Sequence, residues 1–163
     1  MEKDKKEIRP ITNLLGLAIF DSQRLEYTIA FMMLLVNNEL NFTSREHDEK
    51  INNYMLNLSK KTLGTLISQL KKLINVSDGF SERLEEALDA RNYLTHRFFN
   101  HQVENLLTVI GRKEALELVK EKRELLYQCN FFLDPFVQAL IKLRGFTPEM
   151  FTDKVSEKYE HEE

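Results

Sequence analysis

Val119, Leu126, Leu133 and Leu140 fall at every seventh position in a stretch that runs from about Lys113 to Leu143. That period puts all four on one side of a long helix packed nearly parallel to its neighbours, so the chain is expected to lay helices side by side. Pro135 lies inside the stretch and is expected to kink it or free a carbonyl, and Gly145 to end it. Only five glycines and three prolines occur in 163 residues, too few breakers for the many turns of an all-β chain. The expected fold is all-α: an antiparallel four- to five-helix bundle over residues 1–146, with a charged helix or tail over 147–163.

Hydrophobic spacing places the remaining helices. Leu14, Leu17, Ala18, Leu25, Ile29, Met32, Leu35 and Val36 keep to one broad face, which predicts a first helix from after Pro10 to about Asn38. Residues 41–58 read equally as a short helix, with Thr43-Ser44-Arg45-Glu46 resembling a capping box, or as a partly looped connector. A second clear helix is expected over Ser59 to Ile74. Asn75 to Gly79 is a turn cluster, and a third helix, capped by Ser81 or Asp78, is expected to reach about Asn100. Thr147-Pro148-Glu149 has the form of a further helix start.

The charge balance narrows the function classes. Twenty-six acidic against 23 basic residues leave a net charge of −3, which argues against a protein that coats nucleic acid by bulk electrostatics and still permits a local basic site. Cys129 is the only cysteine, so the chain forms no internal disulfide. The charged start Met1 to Glu7 has no signal-peptide pattern, and Ile29 to Val36 is too short an apolar run to span a bilayer. A soluble, cytoplasmic protein with no membrane partner is the expectation. No Gly-rich phosphate loop appears, and no cofactor is expected. His96 and His101 are five apart, about 140° on an α-helix, which is poor spacing for a metal pair; no metal site is expected.

One constellation carries chemistry. On a wheel of the third helix, Leu84, Ala87, Leu88, Leu94 and Phe98 form an apolar stripe with Arg91 near its centre, while Asn92 and His96, four apart, share its edge. A guanidinium in a buried stripe needs an acid from another helix or an anion from outside, because an unpaired charge in low dielectric costs several kcal/mol. Its fork fits phosphate as well as carboxylate. Imidazole as a class titrates near neutral pH, as a general acid or base must. On pattern alone such an arginine is more often a structural ion pair. The first helix supplies candidate partners, Asp21 within its apolar stripe and Glu26 at its margin.

The run Arg91-Asn92-Tyr93-Leu94-Thr95-His96-Arg97-Phe98-Phe99 resembles the Arg-x4-6-His signature of the HEPN superfamily, in the form with Asn after the arginine and a Phe pair after the histidine. The resemblance covers about fifteen residues closely, from Glu85 to Phe99, and the rest only in helical layout. It implies a HEPN-like fold and a metal-independent endoribonuclease of toxin or defence type, or a descendant that kept only RNA binding or dimerisation. Carried over by position, Arg91 would bind the scissile phosphate, His96 would move the proton, and Asn92 would position either. Thr95, within the motif, would be a supporting residue, as would Asp21 and Glu26. Toxins of this kind inactivated by nucleotidylation carry a tyrosine two residues after the histidine. Phe98 stands there, so that form of antitoxin control is not expected. Scission through a 2′-hydroxyl benefits from both a base and an acid, and one histidine supplies a single group. A homodimer pairing two copies of the third helix would supply two histidines and two arginines in one cleft. RNA, a second copy and an antitoxin or regulatory protein are the expected partners. The competing reading is a non-catalytic dimerisation or partner-binding module in which Arg91 is a structural ion pair.

Overall fold

In a computed structural model of the protein, residues 2–42 and 48–145 are described, and among them every regular element is helical. In order these are α1 (Glu2–Val36), α2 (Asp48–Ser59), α3 (Leu63–Leu73), α4 (Asp78–Asn92), a π-helical turn (Tyr93–Arg97), α5 (Phe98–Gln102), a 3-10 turn (Asn105–Leu107) and α6 (Val109–Leu143). Because α4, the π turn and α5 follow one another without a break, the described residues form five rods. No helix among them is long and apolar enough to cross a membrane.

The helix boundaries follow local chemistry. α1 starts ahead of Pro10, not after it, with the proline itself on an exposed position. Residues 48–59 form α2, whereas Thr43 to Glu46 lie outside the described residues, as does the helix start expected at Thr147. Thr62 caps α3 by accepting the Thr65 N–H at 3.3 Å, so this helix begins at Leu63 and not at Ser59. The cap of α4 is Ser77, whose hydroxyl accepts the Phe80 N–H at 3.3 Å, rather than Asp78 or Ser81. Thr108 caps α6 through the Gly111 N–H at 3.0 Å, four residues earlier than the breaker Gly111 suggests. Gly145 ends that rod with φ 75°, the left-handed conformation in which glycine has no Cβ to clash.

The expected strictly antiparallel order does not hold. α1 and α6, 35 residues each and so about 50 Å long, run side by side in the same direction. Asp21 meets Arg123 and Asn130 midway, Arg24 meets Asp134 further on, and beyond both ends Arg144 donates to the carbonyls of Asn37 and Leu40. α4 runs against both, its first-turn Phe80 packing on Phe132 and Phe136 late in α6. The short α2 and α3 cause this: they return the chain to the far end of α1 before α4 starts, so α4 descends and α6 ascends with α1.

Most of the core is one cluster, and Leu34, Leu40 and Phe42 form a second, smaller one. Leu25, Ile29 and Met32 of α1, Leu66 and Leu70 of α3, Leu84 and Ala87 of α4, and Val119, Leu126 and Leu133 of α6 are all essentially inaccessible. Burying each such leucine or isoleucine contributes roughly 1.5–3 kcal/mol. The seventh-residue repeat of α6 therefore marks its core face, with Leu140 only partly buried near the end. Cys129 is also core, and burial pushes its thiol up to about 11.

Candidate functional site

The turn between α4 and α5 sets the geometry. The Phe98 N–H reaches back five residues to the Tyr93 carbonyl, making a wider turn than the four-residue step of an α-helix. Thr95 contributes a second bond across the same stretch, its hydroxyl donating to the Arg91 carbonyl at 2.8 Å. Leu94 and Phe98 stay buried and anchor the turn to the core, while Thr95, His96 and Arg97 face solvent. Tyr93 is pinned by an edge contact to Phe98 and by a hydrogen bond from Gln102 to its hydroxyl at 3.1 Å; the Arg97 guanidinium lies over its ring.

That wide turn brings Arg91 and His96 together. In an α-helix residues five apart diverge by about 140°. Here Arg91 Nη1 lies 3.0 Å from His96 Nε2, and 3.1 Å from Asn92 Oδ1. A guanidinium only donates, so in this contact Nε2 is the acceptor, which places the proton of a neutral ring on Nδ1. Nη2 points the other way, to Glu26 Oε1 of α1 at 3.4 Å. Arg91, Asn92, His96 and Glu26 are thus one cluster.

The cluster is neither sealed nor open. The side chains of Arg91 and Glu26 keep 21% and 26% of their surface exposed, and His96 is exposed. Arg91 has therefore left the centre of the apolar stripe for its solvent edge, where an anion from outside can compete with the internal acceptors. Glu26 fills the role foreseen for an acid on the first helix. Asp21 does not: it accepts from Arg123 Nε at 2.8 Å, and its backbone carbonyl accepts from Asn130 at 2.8 Å, on the side of α1 that faces α6. Thr95 supports the turn through its backbone contact. Arg123 and Asn130 went unforeseen in the sequence; each lies four residues after a position of the α6 repeat, Val119 and Leu126.

Three other cations are engaged away from this cluster. Lys61 donates to Gln69 and Arg112 to the Leu106 carbonyl. Lys71 meets Glu85 at 2.5 Å, and this contact, with help from Ser81, holds the Glu85 carboxyl below its ordinary range. Among the described residues, no group of three or more His, Cys, Asp or Glu side chains is arranged to hold a metal ion.

No protein-family model, curated protein or solved structure matches the chain. What the site can do follows from its own chemistry. It offers a guanidinium that can donate to an anion, an imidazole whose acceptor nitrogen now meets that guanidinium, and a carboxylate, all at one solvent edge. Phosphate binding with proton transfer beside it is the chemistry such a set performs.

Proposed function

We propose that the protein is a metal-independent endoribonuclease of the HEPN type, a toxin or defence protein acting on RNA. The observation that carries this reading is the contact of Arg91 with both His96 and Asn92 on an exposed turn. Arg91 binds the scissile phosphate and stabilises the charge that develops on it, His96 handles the proton, and Asn92 orients the guanidinium. The protein works as a homodimer with two such sites near a shared seam, which concentrates positive potential in a chain of negative net charge. Phe99, 67% exposed and three residues beyond His96, supports an interface there. An antitoxin or regulatory partner acts on this surface.

The test is RNA cleavage in EDTA by wild type, Arg91→Ala and His96→Ala. Activity should survive chelation and fall at least roughly a hundredfold in each variant. Equal RNA decay in all three would end this reading. Toxicity on expression, relieved by the same substitutions, separates a toxin from a housekeeping enzyme.

The Arg91–Glu26 ion pair favours a second reading, a non-catalytic partner-binding module in which α4 is tied to α1. In that case Arg91→Ala lowers stability and partner affinity, and RNA survives incubation with every form of the protein.

A further inference from the structure

We infer that Glu26 is a second catalytic residue, the general base, so that one protomer carries the complete set of proton-transfer groups. The inference rests on the endoribonuclease reading and deepens it. Cleavage through a ribose 2′-hydroxyl moves two protons: one leaves the attacking oxygen and one joins the departing oxygen. A single histidine covers one of these. The structure places a carboxylate on the same guanidinium that the histidine touches, and on its other nitrogen: Nη1 faces His96 and Nη2 faces Glu26.

In-line displacement sets where the two proton-transfer groups must act. Entering and leaving oxygens sit on opposite sides of the phosphorus, while the non-bridging oxygens lie between them. A guanidinium nitrogen holding a non-bridging oxygen leaves the two ends of the reaction axis to whatever flanks it. Here those flanks are Glu26 and His96. Both side chains reach solvent, so a substrate can touch them.

The chemistry assigns the roles. The carboxylate is the group suited to accept the 2′-hydroxyl proton, and the imidazole, in its protonated form, the group suited to deliver the other. Once protonated, His96 Nε2 becomes a donor and cannot remain against Arg91 Nη1, itself a donor. Protonation therefore releases Nη1 for a phosphate oxygen and His96 for the leaving group. Glu26 then takes the 2′-hydroxyl proton and the 2′-oxygen bonds to phosphorus. The bond from phosphorus to the 5′-oxygen of the next nucleotide breaks, its electron pair departing with that oxygen, which takes the proton from His96. The products are a 2′,3′-cyclic phosphate and a 5′-hydroxyl end, with no oxidant or co-reactant consumed. Two-fold pairing then adds a second Arg91 charge to the cleft, and no proton carrier need come from the partner.

The experiment compares an RNA oligonucleotide with a mixture of ribonucleoside 3′-(4-nitrophenyl phosphates), whose leaving group departs without protonation. Wild type, Glu26→Gln, Glu26→Asp and His96→Ala are measured on both, with thermal melting to verify folding. On RNA, Glu26→Gln and His96→Ala should each lose roughly a hundredfold or more. On the aryl esters His96→Ala should recover to within roughly threefold of wild type, while Glu26→Gln stays depressed by about a hundredfold. Glu26→Asp, which keeps a carboxylate, should exceed Glu26→Gln on both substrates. A folded Glu26→Gln within roughly twofold of wild type on RNA overturns the inference and leaves the nuclease reading standing, as does recovery of Glu26→Gln in place of His96→Ala on the esters. RNA cleavage unaffected by His96→Ala overturns the nuclease reading and this inference with it.

Discussion

Arg91 Nη1 and His96 Nε2 are 3.0 Å apart, although five residues separate them on a single helical rod. The π turn makes that contact, and the contact sets the state of the imidazole, because the arginine can only donate. The neutral imidazole of His96 should therefore carry its proton on Nδ1. Nitrogen-resolved NMR of the imidazole will read this directly. Arg91→Ala should shift the ring toward the Nε2-protonated form; an Nε2-protonated ring in the wild type would contradict the geometry.

Asp21 and Glu26 stand on different sides of α1, and substitution should separate them. Asp21 is 6% exposed and ion-paired to Arg123, whose own side chain remains about one-third exposed. Asp21→Ala leaves that guanidinium partly buried without its acid and should cost about 1–3 kcal/mol, below the full penalty of a sealed pair. Urea unfolding measures it. On the proposed ribonuclease reading, cleavage per folded molecule should not change, since Asp21 is not part of the Arg91 cluster.

Two glycines should respond with opposite signs. A Cβ on Gly111 would lie 2.3 Å from the Asn105 carbonyl oxygen, so α6 must retreat from the 3-10 turn to accept it. Gly111→Ala should destabilise by about 2–3 kcal/mol. Gly16, in the middle of α1, has nothing within 4 Å of such a Cβ, and Gly16→Ala should stabilise by about 0.5–1 kcal/mol. Thermal melting of the pair tests both.

The Cys129 thiol is raised from the ordinary 9.0 to about 11, chiefly by burial. Since the folded chain holds this proton more tightly than the unfolded chain, the associated stability is whole below about 9 and is lost as pH rises through about 11. The urea midpoint of the wild type in reducing buffer should fall more steeply across that window than that of Cys129→Ala. Native protein should also react slowly with iodoacetamide at neutral pH and rapidly once unfolded.

Helical period and the scarcity of breakers made the rods legible before any coordinates, because burial of an apolar stripe is written at i, i+3, i+4 and i+7. Val119, Leu126 and Leu133 are core for that reason. Rod direction was not legible: whether α6 runs with or against α1 depends on where α2 and α3 deliver the chain. The caps Ser77 and Thr108 lay a few residues from the breakers because a side-chain hydroxyl, and not the glycine that follows, satisfies the first free N–H groups.

The amino-acid sequence by itself determined an all-helical chain and a helix bearing Arg91, Asn92 and His96, since residue spacing encodes which side chains share a face of a regular helix. Only the tertiary structure decided that the turn widens so that His96 lies on Arg91, and that Glu26 rather than Asp21 closes the cluster. Anchoring Leu94 and Phe98 in the core while accommodating an extra residue is a packing compromise. Which face of α1 meets α4 is likewise fixed by contacts between segments 65 residues apart, which no local spacing records.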